Sequence, residues 1–294
     1  MRSPPASLST FLWALSHRPA SPAPRPTHLW RATSAGLLLF FSCLIYLTFG
    51  MASVASLLAH LTDAAPAPAS AHQLIDLQLT TIGLEGVAIL AAVLAFLLRG
   101  DGLTAWGLRV PPVGIRRSLA EYATIAGSGY FGVLGVGSLV VGLAGNALHA
   151  ERFAYDRPEV PVLLGIADGL IAGIGEELIV LAGVVRGLEW AGVRSPAIAV
   201  ATSAALRISY HLDYGIRVLP IVGWAVLTVV LYLRTRRVLA FIITHAAFDV
   251  LVALLGATRA NGYLTLAVLV TLPAALLALP HQLRPADQSS GPRP

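Results

Sequence analysis

The chain has 294 residues, 56% of them hydrophobic and only 12% charged, with a mean hydropathy of +0.75 and a formal net charge of +5. Soluble domains carry about 25% charged residues, so this composition excludes an ordinary water-soluble globule and makes the bilayer the solvent that orders the chain. All 20 basic residues are arginines; a GC-rich genome accounts for that choice, and the pI of 9.8 carries no implication of nucleic-acid binding.

Residues 1–33 are rich in Pro, Ala, Ser and Arg and read as a disordered cytosolic tail. The apolar piece Phe11–Leu15 is too short for a signal-peptide core. A spanning helix needs ~20 mostly apolar residues at 1.5 Å rise. By that measure 34–280 is one integral membrane domain with eight candidate spans: 34–60, 75–98, 119–148, 160–187, 196–212, 216–233, 238–256 and 263–280. The expected fold class is therefore all-α and polytopic. Cys43, the one cysteine, cannot form an intramolecular disulfide and reads as a small buried hydrophobe in the first span. The stretch 63–73 is a Pro/Ala connector. After the second span, Trp106-Gly107-Leu108-Arg109 and Pro111-Pro112 predict a segment lying on the membrane surface, because Trp beside arginine suits the interface. Glycines crowd the third span at 127, 132, 135, 137, 142 and 145, and Gly165, Gly169 and Gly173 recur at four-residue spacing on the fourth. Such faces let backbones approach closely in lipid, so the fourth helix is expected at the centre of the bundle. The tail 281–294 is Pro-rich and polar and reads as disordered and cytosolic.

Arginines set the expected sidedness. With the N-terminus inside, cytoplasmic segments hold 15 arginines, the outer loops hold 4 (Arg152, Arg157, Arg217, Arg259), and Arg207 remains within a span. An even number of spans with both termini cytoplasmic fits that distribution.

Charge inside the apolar runs is the informative feature. A carboxylate at a helix centre in a bilayer costs roughly 2.5–3.5 kcal/mol by insertion scales, yet Glu176 and Glu177 stand side by side in the middle of the fourth span. On a helix they point about 100° apart. One can face a pocket while the other meets a neighbouring helix or an arginine. Arg207 and His211 are four residues apart on the fifth span, and His245 and Asp249 repeat that spacing on the seventh. Arg207 needs a counter-ion in mid-span, and Glu176 or Glu177 is the natural one. Glu85 and Asp168 are further acids well inside these spans. Eight residues turn Asp168 about 80° away from Glu176, and no polar motif surrounds Glu85, so both read as water-cavity or packing residues.

A buried carboxylate beside a like charge suits a general base near neutral pH. It can deprotonate water for attack on an amide, while histidines stabilise the oxyanion or protonate the leaving amine. Glu176, His211 and His245 are equally acceptable ligands for a divalent metal such as Zn²⁺, with one position left for water. Ligand identity fits either account. Depth along the helices adds a constraint. At 1.5 Å per residue, Glu176 lies roughly 15 Å from Arg186 and His245 roughly 12 Å from Arg237, but His211 lies roughly 25 Å from Arg194. The fifth helix must be short or strongly tilted for these groups to meet.

The order Glu176-Glu177, His211, then His245 with Asp249, resembles the CPBP intramembrane proteases, also called the CAAX-processing or Abi family. Their pattern is Glu-Glu-x-x-x-Arg, Phe-x-x-x-His and His-x-x-x-Asn/Asp on successive membrane helices. The resemblance covers about 160–256, with Trp106-Gly107-Leu108 as an upstream echo. It implies a multi-helix intramembrane endopeptidase with Glu176 as the base that activates water, His211 and His245 as its partners, and Asp249 completing an oxyanion site. Leu181 stands where the pattern has arginine, and Arg207 where it has phenylalanine. Arg207 can return the lost guanidinium from the neighbouring helix; Arg186 is the other source, although it better marks the cytoplasmic end of its span. Asp249 replaces the commoner asparagine, and donates to an oxyanion only when protonated.

The leading expectation is an endopeptidase of the cell membrane that cuts a membrane-associated peptide or protein. A catalytically inactive relative, acting as a membrane binding or immunity scaffold, is the alternative that the replaced arginine keeps open. A proton-coupled carrier is a third, against which the lack of internal repeats counts.

Overall fold

The computed structural model describes residues 28–51, 53, 54, 58, 70–98, 106–108, 125, 129, 137, 161–212 and 218–258. Among these residues there are helices and no strands. Helix α1 (His28–Ile45) runs on into a π-turn, π1 (Tyr46–Gly50). Helix α2 covers Ala71–Leu98. A continuous rod follows, built of α3 (Val162–Gly175), a π-helical stretch π2 (Glu176–Gly183) and α4 (Val184–Trp190). Helices α5 (Pro196–Ser209), α6 (Val218–Thr235) and α7 (Val238–Thr258) complete the described part. The expected tail 281–294, the eighth span 263–280 and most of the third, 119–148, lie outside the described residues, as does the greater part of the expected tail 1–33.

Local chemistry fixes several helix starts. At α2, Ser70 N–H donates to Gln73 Oε1 at 2.8 Å while Gln73 N–H donates back to Ser70 Oγ at 3.3 Å, a reciprocal capping box. At α5, Ser195 Oγ accepts from Ile198 N–H and Pro196 occupies the first turn, where its missing donor costs nothing. Among the described residues, three helices are long and apolar enough to cross a membrane: Ala32–Gly50, His72–Leu98 and Val218–Thr235. The outward side of α2 presents apolar side chains, with Leu90 70% and Leu98 80% exposed; such a face needs lipid or a partner helix. At 14 residues α5 is short, about 21 Å of rise, as the depth of His211 requires.

The glutamate-bearing rod is the axis of the packing. Residues from Gly175 to Val185 are all buried, and α1, α2, α5, α6 and α7 pack around it. The glycine stripe faces α7. A Cβ at Gly173 would lie 2.6 Å from the backbone nitrogen of Ala246, and one at Gly169 would lie 2.8 Å from Asp249 Cβ. Glycine at these positions lets the helix carrying His245 and Asp249 reach the glutamates. Central placement of the fourth span thus holds.

Two local expectations are corrected. Trp106 is fully buried, its ring 4.3 Å from that of Phe96, instead of lying at the interface. Gly107 allows this with a φ of +78°, and its backbone meets Arg236 and Val238 where any side chain would collide. Cys43 is exposed on the outer side of α1, not buried; apolar surroundings in sequence do not reveal which face of a helix is inward.

Gly173→Leu is expected to lower the thermal midpoint of the detergent-solubilised protein sharply, since overpacking costs about 1–3 kcal/mol or more where backbone must move. An unchanged melting curve would contradict the close α3–α7 contact.

Candidate active site

Glu176 and Glu177 open the π-helical stretch, a geometry that occurs mostly as short interruptions at functional sites. Side chains of α5 answer two carbonyls of the widened turn: Ser203 Oγ donates to Val180 O at 2.8 Å, and Arg207 Nη2 to Glu176 O at 3.3 Å. The fifth helix is therefore fastened to the rod beside its acids.

Glu177 is the hub of the site. Its side chain is wholly buried, and its Oε1 receives Arg207 Nη1 at 3.1 Å and His245 Nδ1 at 2.8 Å. The other ring nitrogen of His245 lies 3.3 Å from Asp249 Oδ2. A continuous chain of charged and polar groups, Arg207–Glu177–His245–Asp249, links α5, π2 and α7. Trp224 of α6 lines it, with its ring 4.3 Å below the Arg207 guanidinium and edge-on to His245 at 5.3 Å. Removing one partner of such a buried pair typically costs about 3–5 kcal/mol, because the other charge is left uncompensated.

Glu176 points differently. Its Oε2 accepts a hydrogen bond from Tyr210 O–H at 2.8 Å and lies 4.0 Å from Arg207 Nε. Tyr210 is itself fixed from π1 and the residues just after it: its carbonyl accepts from Ser53 Oγ, and its ring lies 5.3 Å from that of Phe49. Nothing in the sequence marks Tyr210, since a tyrosine at a helix end is an ordinary residue there. Only the meeting of two segments distant in sequence reveals it. His211 follows, its ring 4.5 Å from that of Tyr210 and its Nδ1 2.8 Å from Arg207 O. A carbonyl can only accept, so Nδ1 carries a proton, and in the neutral ring the lone pair is on Nε2.

Of the six residues singled out in the sequence, Glu177, Arg207, His245 and Asp249 thus join directly, while Glu176 and His211 flank them through Tyr210 and Arg207. One pairing differs from what the resemblance implies: His245 hydrogen-bonds Glu177, the second glutamate. The guanidinium near the acids comes from Arg207. Arg186 instead pairs with Glu189 at 2.7 Å, and Glu189 meets Arg236 at 2.5 Å, at the far end of the rod. Leu181 lies in the apolar core, fully buried.

A metal was expected, if present, on Glu176, His211 and His245. Among the described residues no three His, Cys, Asp or Glu side chains converge to hold one. Both nitrogens of His245 face carboxylate oxygens, which occupies the lone pair a metal would need. This arrangement does not fit a metal.

Residues 158–251 match the family model described as Rce1-like, type II CAAX prenyl endopeptidase. The segment carrying the site is CAAX-protease-like. The match runs from just before α3 to just past Asp249 and takes in all six site residues. Neither the curated proteins nor the solved structures offer a match to the chain.

Arg207→Phe is expected to lose roughly 3–5 kcal/mol of stability by stranding Glu177. Adding Leu181→Arg, one turn along the rod, should recover part of that loss in equilibrium unfolding. No recovery would mean that position 181 cannot deliver a guanidinium to this acid.

Proposed function

We propose that the chain is a multi-pass intramembrane endopeptidase with both termini cytoplasmic, hydrolysing a peptide bond of a membrane-associated protein or peptide. The observation that carries this reading is the buried chain Arg207–Glu177–His245–Asp249 beside a separately oriented Glu176, all within the CAAX-protease-like segment. Adjacent carboxylates divide the work. Glu177 holds the helices together, and Glu176, steadied at Oε2 by Tyr210, turns Oε1 to a water.

In the proposed reaction Glu176 takes a proton from water as the water oxygen bonds to the scissile carbonyl carbon. Negative charge gathers on the carbonyl oxygen, where Asp249 in its protonated form, held through His245, donates a hydrogen bond in a site walled from bulk water. The proton held on Glu176 then passes to the amide nitrogen as the C–N bond breaks. His211, with its lone pair on Nε2, assists that transfer. By likeness to the family, a lipid-modified carboxyl-terminal peptide is the first substrate to assay.

A second reading, an inactive scaffold, draws support from one feature: the His245 ring is held by two carboxylates at once. Turnover separates the two. In proteoliposomes Glu176→Gln should lower kcat by about 10²–10⁴, the usual contribution of a general base, and a chelator should leave wild-type activity intact. Cleavage that survives both Glu176→Gln and His245→Ala contradicts the site, and chelator inactivation reversed by Zn²⁺ contradicts the metal-free step. Tyr210→Phe should reduce kcat about tenfold, the value of roughly one hydrogen bond to a charged group, with KM unchanged.

A further inference from the structure

The segment that follows α1 lies outside the family match at 158–251, yet one face of it meets the site. Tyr46, Phe49 and Ser53 stand at i, i+3 and i+7, the spacing of a single helix face. Tyr46 O–H donates to Ser209 Oγ at 3.1 Å, and Ser209 Oγ donates in turn to Leu206 O at 2.7 Å. Ser53 Oγ donates to the carbonyl of Tyr210. That carbonyl stands at the C-terminal end of α5, where a helix supplies no donor of its own. Two hydroxyls thus take hold of two consecutive residues at the end of the fifth helix.

Phe49 stands between them in the chain and reaches further in. Its ring lies 5.3 Å from that of Tyr210, and a Cβ at Gly175 would lie 3.2 Å from Phe49 Cζ. Gly175 is the residue before Glu176. Phe49 therefore touches both the backbone that carries this acid and the ring that hydrogen-bonds it. Glycine at 175 leaves the space that the phenyl ring uses. Gly50 has a similar part within π1, since a Cβ there would lie 2.6 Å from Tyr46 Cδ1. Phe49, from one π-helical stretch, meets the N-cap of the other, and such stretches occur mostly at functional sites.

We propose that this face is a working part of the site: Ser53 and Phe49 are positioning residues that hold Tyr210 so that its O–H reaches Glu176 Oε2. Neither touches the reacting atoms. The proposal rests on the endopeptidase reading for its kinetic consequence, whereas the positioning itself is defined by its own contacts. The 2.8 Å bond from Tyr210 to Glu176 depends on where the tyrosine backbone stands and on how its ring is turned. Ser53 fixes the first and Phe49 the second. With either released, Oε2 loses its donor and Oε1 loses its fixed direction towards water.

The test uses the full-length protein in proteoliposomes with a fluorogenic, lipid-modified carboxyl-terminal peptide. Ser53→Ala and Phe49→Leu should each lower kcat about three- to tenfold with KM unchanged. Combined with Tyr210→Phe, neither should lower kcat further, because the hydroxyl they act through is already gone. Losses that multiply in the double variants, or that fall on KM, overturn the proposal. So does full kcat in both single variants. Phe49→Leu carries the test alone should Ser53→Ala fail to fold. A second readout needs no turnover: labelling of Glu176 by dicyclohexylcarbodiimide, followed by mass spectrometry. A carboxyl oxygen freed from Tyr210 O–H should react severalfold faster in Tyr210→Phe and in each positioning variant, with no further gain in the double variants. Labelling at the wild-type rate in both positioning variants contradicts the proposal. Wild-type protein that cleaves no peptide ends the endopeptidase reading, and the labelling rates then still decide the positioning.

Discussion

A single buried contact organises this bundle: the guanidinium of Arg207 against the carboxylate of Glu177, both removed from solvent. Neither charge is tolerable alone in an apolar interior. Their pairing fixes α5 against the rod, and the second hydrogen bond of Glu177, to His245, fixes α7. Three elements distant in sequence are thereby held to one point. The glycine stripe is the steric condition for it, since any side chain at Gly169 or Gly173 would push α7 away.

From that constraint the chemical asymmetry of the two glutamates follows. Neighbours on a helix diverge by about 100°, so the acid committed to Arg207 and His245 cannot also face an open pocket. Glu176 is left to a different partner, Tyr210, which is anchored by Phe49 of π1 and by Ser53 just after it. The far end of the rod is closed by Arg186, Glu189 and Arg236 and by the rings of Phe41, Phe96, Trp106 and Trp190. Asp168 lies about two turns from Glu176 towards the opposite end of the rod.

Much of this was legible in sequence where the physics is local. Charges in apolar runs announce themselves by their cost, and residues four apart share a face, as His245 and Asp249 do at 3.3 Å. The short fifth helix followed from depth, and the central rod from the spacing of Gly165, Gly169 and Gly173. Relocation of the guanidinium to Arg207 was also foreseeable, because Leu181 leaves the acids otherwise unanswered. What sequence could not convey was direction. The π-helical stretch alters the angular relation of successive side chains, so the choice of Glu177 over Glu176 by His245 is not a matter of spacing. Tyr210 gains significance only from a segment remote in the chain, and the burial of Trp106 and exposure of Cys43 depend on which face of a helix turns inward.

The most direct measurement is a double-mutant cycle on reversible unfolding, pairing Arg207→Met with Glu177→Gln. A mutually dependent buried pair predicts strong coupling, with each single variant losing about 3–5 kcal/mol and the double variant far less than their sum. Additive losses within about 0.5 kcal/mol would mean that the two side chains do not depend on each other, and the account of how this site is held together would be wrong.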